Sequence, residues 1–282
     1  MASQSEILLP RDLSSLPFIN AGVTSVVRAL DEHSVIKLAG DEDSLRALEV
    51  ERRILERLGE HPRIVRLLYV HEKKLVLERL LYPLLVRLLE LRDQEAAPST
   101  EEILKWSAQA AEGMEYFHGK NVLQIDIGSH NLLLDWDENI KYCDFSGSCI
   151  DGGWTYAAPS TRAQHPSISP KSPSVQSEIF ALGSVLYEIS TARRVYEDSE
   201  EWEIERHFTQ GEYPETQHLL LGHVISKCWS GGYNNAGQVA AEIRAIQRRF
   251  KYGDLNLPLG HYMRKQKESR RLRREYNGFG RA

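Results

Sequence analysis

Apolar residues along this chain recur first with the short period of strands and later with the longer period of helices. Val23 to Leu30 and Ser34 to Leu38 flank the polar triplet Asp31-Glu32-His33, a pattern that predicts a β-hairpin. Leu45, Leu48, Leu55 and Leu58 then fall on one helical stripe, and Gly59 is placed to end that helix. Ile64 to Val70 and Lys74 to Leu80 are two further runs of strand length. After Pro83 the pattern turns mainly helical. Ser99 is suited to cap a helix that Glu102 completes as a capping box, with Ile103, Ala110, Met114 and Phe117 on its buried face. A short strand pair comes next, followed by a loop rich in Ser and Pro from Ser160 to Ser174. Ile179 to Ile189 is apolar on most sides, the mark of a buried helix, and Gln238 to Phe250 forms a last helix. Strands first and helices later predict an α+β chain in two parts. The first covers residues 1–81, the second 82–250, and a tail covers 251–282.

With 41% hydrophobic and 27% charged residues, the composition is that of a water-soluble globular chain. No apolar run approaches the ~20 residues that span a bilayer, and the polar start around Ile7-Leu8-Leu9 lacks the basic region of a signal peptide. Cys143, Cys149 and Cys228 form no CxxC pair and cannot all be disulfide-bonded, which fits a reducing, intracellular setting, cytoplasmic or nuclear. The net charge of −5 hides an asymmetry, because eleven Lys/Arg against three Asp/Glu lie from Arg248 onward. The body is therefore acidic and ill suited to nucleic acid, and only the basic tail retains that capacity.

The segment that carries chemistry runs from His118 to Gly147. Leu132 to Leu134 and Ile140 to Cys143 are apolar strands around the polar turn Asp135 to Asn139. On this reading Asn131 and Asp144 lie equally far from the tip, side by side at the hairpin's mouth, with Asp126 in the loop that enters it. Three oxygen-bearing side chains converge: two can hold a hard cation such as magnesium, and the third can orient a hydroxyl nucleophile. Upstream, Lys37 ends the apolar strand Val35-Ile36-Lys37, and Glu51 borders the Leu48/Leu55 stripe of the following helix. A carboxylate there needs a cationic partner, and Lys37 is the candidate.

Asp126 followed five residues on by Asn131, then Asp144-Phe145, with Phe117-His118-Gly119 before them, resembles the catalytic and magnesium loops of the eukaryotic protein kinase superfamily. The resemblance covers roughly residues 15 to 247 and is closest to divergent fungal-type members, on Asp144-Phe145-Ser146-Gly147-Ser148, Ile150-Asp151-Gly152 and Phe180 to Glu188. It implies a two-lobed kinase-like fold, β-rich first and helical after, with ATP and magnesium between the lobes. It implies Asp126 as catalytic base, Asn131 and Asp144 as metal ligands, and Lys37 held by Glu51 at the phosphates. Gly22 would lie in the phosphate loop, Val27, Val35 and the gatekeeper Leu77 around adenine, and Glu78 and Leu80 in the hinge.

The departures are specific. Of three expected phosphate-loop glycines only Gly22 remains, and the His-Arg before the base is Gln124-Ile125. Gly128 stands where a lysine contacts the transferred phosphate, and its threonine partner is Gly153. Ser160 replaces a glutamate whose arginine partner is also missing, and Glu178 replaces an aspartate at the head of the central helix. An ATP- and magnesium-dependent protein kinase acting on Ser or Thr hydroxyls of a protein substrate is the expectation. A scaffold that binds ATP or partners, and a small-molecule phosphotransferase, are the alternatives.

Overall fold

The computed structural model describes residues 12–253. Most of the basic tail, from 254 on, lies outside the described residues. Five antiparallel strands form the first sheet: β1 (Phe18–Ala21), β2 (Ser25–Ala29), β3 (Ser34–Ala39), β4 (Leu67–His71) and β5 (Lys74–Glu78), in the order β1-β2-β3-β5-β4. The turn between β2 and β3 is drawn tight by Asp31, whose Oδ1 accepts from the His33 and Ser34 amides. Between β3 and β4 runs helix α1 (Glu42–Leu58), capped by the Asp41 side chain and ended at Gly59, whose φ is +62°.

The second lobe is helical: α2 (Leu84–Asp93), α3 (Thr100–His118), α4 (Val175–Thr191), α5 (Glu201–Thr209), α6 (Gly222–Trp229) and α7 (Ala236–Lys251). Ser99 and Glu102 form the expected capping box of α3. α4 is buried along nearly its whole length and is mostly apolar, with Glu178, Ser184 and Ser190 among its buried residues. Between α3 and α4 lie two small strand pairs: β6 (Val122–Leu123) with β9 (Cys149–Ile150), and β7 (Leu132–Leu134) with β8 (Ile140–Tyr142). No helix among the described residues is long and apolar enough to cross a membrane. The chain thus has the two-lobed kinase-like architecture, a five-stranded lobe with one main helix joined to a mostly helical lobe.

Two kinds of contact join the lobes. The segment after α1 is stitched to β8 by backbone bonds: Val65 N donates to Tyr142 O, and Tyr142 N donates to Arg63 O. Ile64, Val65 and Tyr142 are all buried there, and Tyr116 Oη donates to Leu58 O. These bonds explain a difference from the sequence reading. Ile64 and Val65 have strand-like composition, but their partner is β8 and not the main sheet; Arg66 O already accepts from Glu78 N of β5, and β4 itself begins at Leu67. The other links are polar side chains: Lys37 to Asp144, Glu78 to Lys141, Arg57 to Asp151 and Thr24 to Ser146.

Tyr142 owes its place to Gly113. A Cβ at residue 113 would stand 2.6 Å from Tyr142 Cδ2, and the ring is fully buried with its hydroxyl donating to Ala110 O. Gly113→Ala gains about 1 kcal/mol of helix propensity. Overpacking against a ring that cannot withdraw costs about 1–3 kcal/mol. A net loss of stability is expected, read as a lower denaturation midpoint with unchanged slope.

Candidate active site

β3 delivers Lys37 to the cleft. Val27 pairs with Lys37 and Val35 with Leu77 across the sheet. Directly opposed residues share a face, so Val27, Val35, Lys37 and Leu77 line one side of the lobe together. Lys37 is 4% exposed and Glu51, from α1, is wholly buried. Lys37 Nζ donates to Glu51 Oε2 at 2.5 Å and to Asp144 Oδ1 at 2.8 Å. Burial alone would depress the Lys37 ammonium, but the two carboxylates outweigh it and hold the group charged, with its pKa raised. The other oxygen of Glu51 accepts from the Phe145 amide at 3.2 Å. One helix residue therefore fixes both the ammonium and the backbone next to Asp144.

Asp144 sits at φ +56°, a left-handed conformation that Asp tolerates. Its Oδ1 accepts from Lys37 and from Ser146 Oγ at 2.7 Å. Burial would raise this carboxyl, yet the Lys37 ammonium and the Ser146 donors bring it down to about 2. The register of β7 with β8 corrects the sequence reading by one residue. Leu132 opposes Tyr142, and Cys143 N donates to Asn131 O, so Cys143 stands opposite Asn131 and Asp144 lies one step beyond. The hairpin still brings both ends to the cleft.

Asn131 donates through Nδ2 to the Asp126 carbonyl at 2.9 Å and to Asp126 Oδ2 at 3.1 Å. This fixes the amide and leaves its Oδ1 with no hydrogen-bond donor among the described residues. No cluster of three or more His, Cys, Asp and Glu suited to a metal occurs among the described residues. An amide oxygen and one carboxylate are instead the sparse oxygen set that suits magnesium, which takes its other ligands from water and substrate phosphates.

The loop bearing Asp126 is held from below by Glu178, near the N-terminus of α4. Glu178 Oε1 accepts from the Ile125 amide at 2.6 Å and Oε2 meets His118 Nε2 at 2.7 Å. Ile125 needs that grip, because its φ of +74° is strained for a β-branched residue. Gln124 donates to the Cys143 carbonyl at 2.7 Å, and its own carbonyl accepts from Ser148 Oγ, so an amide ties the two loops together. The absent ion pair at Ser160 also has a substitute. Arg162 donates to the carbonyls of Val195, Tyr196, Glu197 and Ser199 and so pins this stretch to the helical lobe.

Three further residues of the sequence reading have plainer surroundings. Gly22 closes the β1–β2 turn by donating to Ser25 O, and a Cβ there would meet nothing within 4 Å. Glu78 turns its carboxylate to Lys141 Nζ and the Arg66 amide, and Leu80 packs half-buried against the core. The sequence reading missed His130, whose ring meets Asp126, and Thr24, which meets Ser146. The only signal for His130 was its position four residues after Asp126, with a glycine between them.

Comparison with known proteins agrees with this geometry. The family model described as protein tyrosine and serine/threonine kinase matches residues 26–239, more than half of the chain. The chain is 28% identical over 148 residues to the serine/threonine/tyrosine-protein kinase HT1 of Arabidopsis thaliana, covering 47% of this chain and 36% of that protein. It is 31% identical over 108 residues to the mouse serine/threonine-protein kinase A-Raf, covering 34% of this chain and 17% of that protein. It is 25% identical over 145 residues to the RGS domain-containing serine/threonine-protein kinase A of Dictyostelium discoideum, covering 49% of this chain and 13% of that protein. The match thus spans about a third or less of each relative. With the lobes, the paired lysine and the two loops in place, the chain belongs to the protein tyrosine and serine/threonine kinase family.

Proposed function

We propose that this chain is an active protein kinase that uses ATP and magnesium and transfers the γ-phosphoryl group to a protein hydroxyl, Ser or Thr in preference. The observation that carries the reading is the buried Lys37, held between Glu51 and Asp144. An ammonium kept charged beside a metal-binding carboxylate is the electrostatic core of phosphoryl transfer. In the step, the acceptor oxygen bonds to the γ-phosphorus while the bond from that phosphorus to the β–γ bridging oxygen breaks. ADP leaves with the bonding electrons, and the hydroxyl proton passes to Asp126. Asn131 and Asp144 would hold magnesium, which when bound neutralises charge on the phosphates. Val27, Val35 and Leu77 supply an apolar ceiling for the base, with Glu78 and Leu80 at the hinge and Gly22 in the loop over the phosphates. The Ser/Thr preference draws on the names of the relatives, all three of which include serine/threonine. Three free cysteines fit an intracellular site of action, cytoplasmic or nuclear.

One observation favours a second reading, an ATP-binding scaffold without turnover: Gly22 is the only glycine of the phosphate loop, and Gly128 offers no cation to the transferred group. Two measurements separate them. MgATP at a hundredfold excess over its Kd is expected to stabilise the folded chain by about 2.7 kcal/mol, and Asp144→Asn to abolish most of that shift. Labelled ATP is expected to pass its γ-phosphate to a generic protein acceptor. Stabilisation without transfer decides for the scaffold, and neither stabilisation nor transfer removes both readings.

A further inference from the structure

The catalytic loop of this chain contains a contact that its departures from the family make possible. Gly128 is extended, with φ −171°, a conformation open to any residue, so its lack of a side chain is not a backbone requirement. The requirement comes from His130. A Cβ built on residue 128 would stand 2.4 Å from His130 Cε1 and 2.5 Å from Nδ1. The imidazole therefore occupies the space that any side chain at 128 would claim. From there its Nε2 reaches Asp126 Oδ2 at 3.0 Å. A carboxylate oxygen accepts, so the ring donates. Asn131 Nδ2 donates to the same oxygen, while Asp126 Oδ1 receives no hydrogen bond from the described residues. The turn is pinned as well, since Ser129 Oγ donates to Glu188 Oε2 at 2.6 Å. His130 and Asp126 side chains are 42% and 36% exposed, which puts the pair at the mouth of the site.

We propose that His130 is a positioning residue for phosphoryl transfer: its ring, admitted by Gly128, holds one oxygen of Asp126 so that the other faces the acceptor hydroxyl. With two donors on Oδ2 the carboxylate cannot rotate freely, and Oδ1 is left as the proton acceptor. The missing side chain at 128 and the histidine at 130 form one coupled replacement, since a side chain at 128 and this ring position exclude each other. This rests on the phosphotransfer reading above.

The test is steady-state transfer from MgATP to a generic protein acceptor by the full chain, with melting temperatures recorded for every variant. His130→Ala is expected to lower kcat on the order of 10- to 100-fold, as small losses of alignment do, while KM for ATP stays within about twofold. His130→Gln, which returns an N–H near Nε2, is expected to recover most of the loss, and His130→Phe none of it. Gly128→Ala displaces the ring and is expected to match His130→Ala. The double variant Gly128→Ala/His130→Ala is expected to be no slower than either single one, the non-additivity of two residues acting through one contact. Wild-type rates in His130→Ala, equal losses in Gln and Ala, or additive effects of the two sites would each overturn the proposal while leaving the kinase reading standing. A wild-type chain that transfers no phosphate would overturn both.

Discussion

Asp126→Asn is expected to lower kcat for phosphate transfer by about 10²–10⁴-fold, the usual worth of a general base, and to leave MgATP binding close to wild type. The geometry is the reason for expecting so clean a separation. Asp126 makes no hydrogen bond or ion pair with Lys37, Glu51 or Asp144 among the described residues, so the groups proposed to bind nucleotide keep their places. An amide can still offer its oxygen to the Asn131 and His130 donors. What then faces the acceptor is an NH₂ group, which cannot take a proton. Steady-state rates with labelled ATP, paired with MgATP-dependent melting, measure the two effects separately. Transfer within about twofold of wild type would remove Asp126 from the mechanism, far from the loss a base incurs.

Glu51→Ala is expected to cost the fold about 3–5 kcal/mol, because it strips one partner from a buried charge. The same change leaves the Phe145 amide without its acceptor. Glu51→Gln keeps that acceptor and the side-chain volume, so its loss should be smaller, yet transfer should fall in both variants as Lys37 is released. The double variant Lys37→Met/Glu51→Leu puts apolar groups where the pair was, and such replacements of buried ion pairs are close to neutral or stabilising. It should regain part of the stability, since Asp144 still loses its cation and the Phe145 amide its acceptor, and none of the transfer. Denaturant midpoints and transfer rates measured on the same three proteins check this. A double variant as unstable as Glu51→Ala would show that the site's role in the fold goes beyond charge pairing.

Local rules carried much of this structure. Glu51 was legible as a buried carboxylate from its place among Leu48 and Leu55, and Ser99 with Glu102 spelled the start of α3. Strands that are exposed or very short were not. β1 has four exposed residues and no alternation to betray it, and the β6–β9 pair is two residues long on each side. The position of Asp144 one step past its expected place depends on the β7–β8 register, which a polar five-residue turn does not fix by itself. His130 was invisible for a different reason. Its role depends on where a flexible ring comes to rest, and that is decided by the space left at Gly128 in the folded loop.

The contrast between the main-chain and the side-chain contacts of the two lobes has a mechanical consequence. Main-chain bonds around Tyr142 cannot be traded for water without orphaning buried groups, whereas the exposed Arg57–Asp151 pair can be exchanged for solvent cheaply. The lobes are thus held partly by main-chain bonds that water cannot open and partly by a surface pair that it can. Salt, which screens the exposed Arg57–Asp151 pair and spares the main-chain seam, is therefore expected to loosen the side-chain links between the lobes before it disturbs the Ile64–Tyr142 bonds.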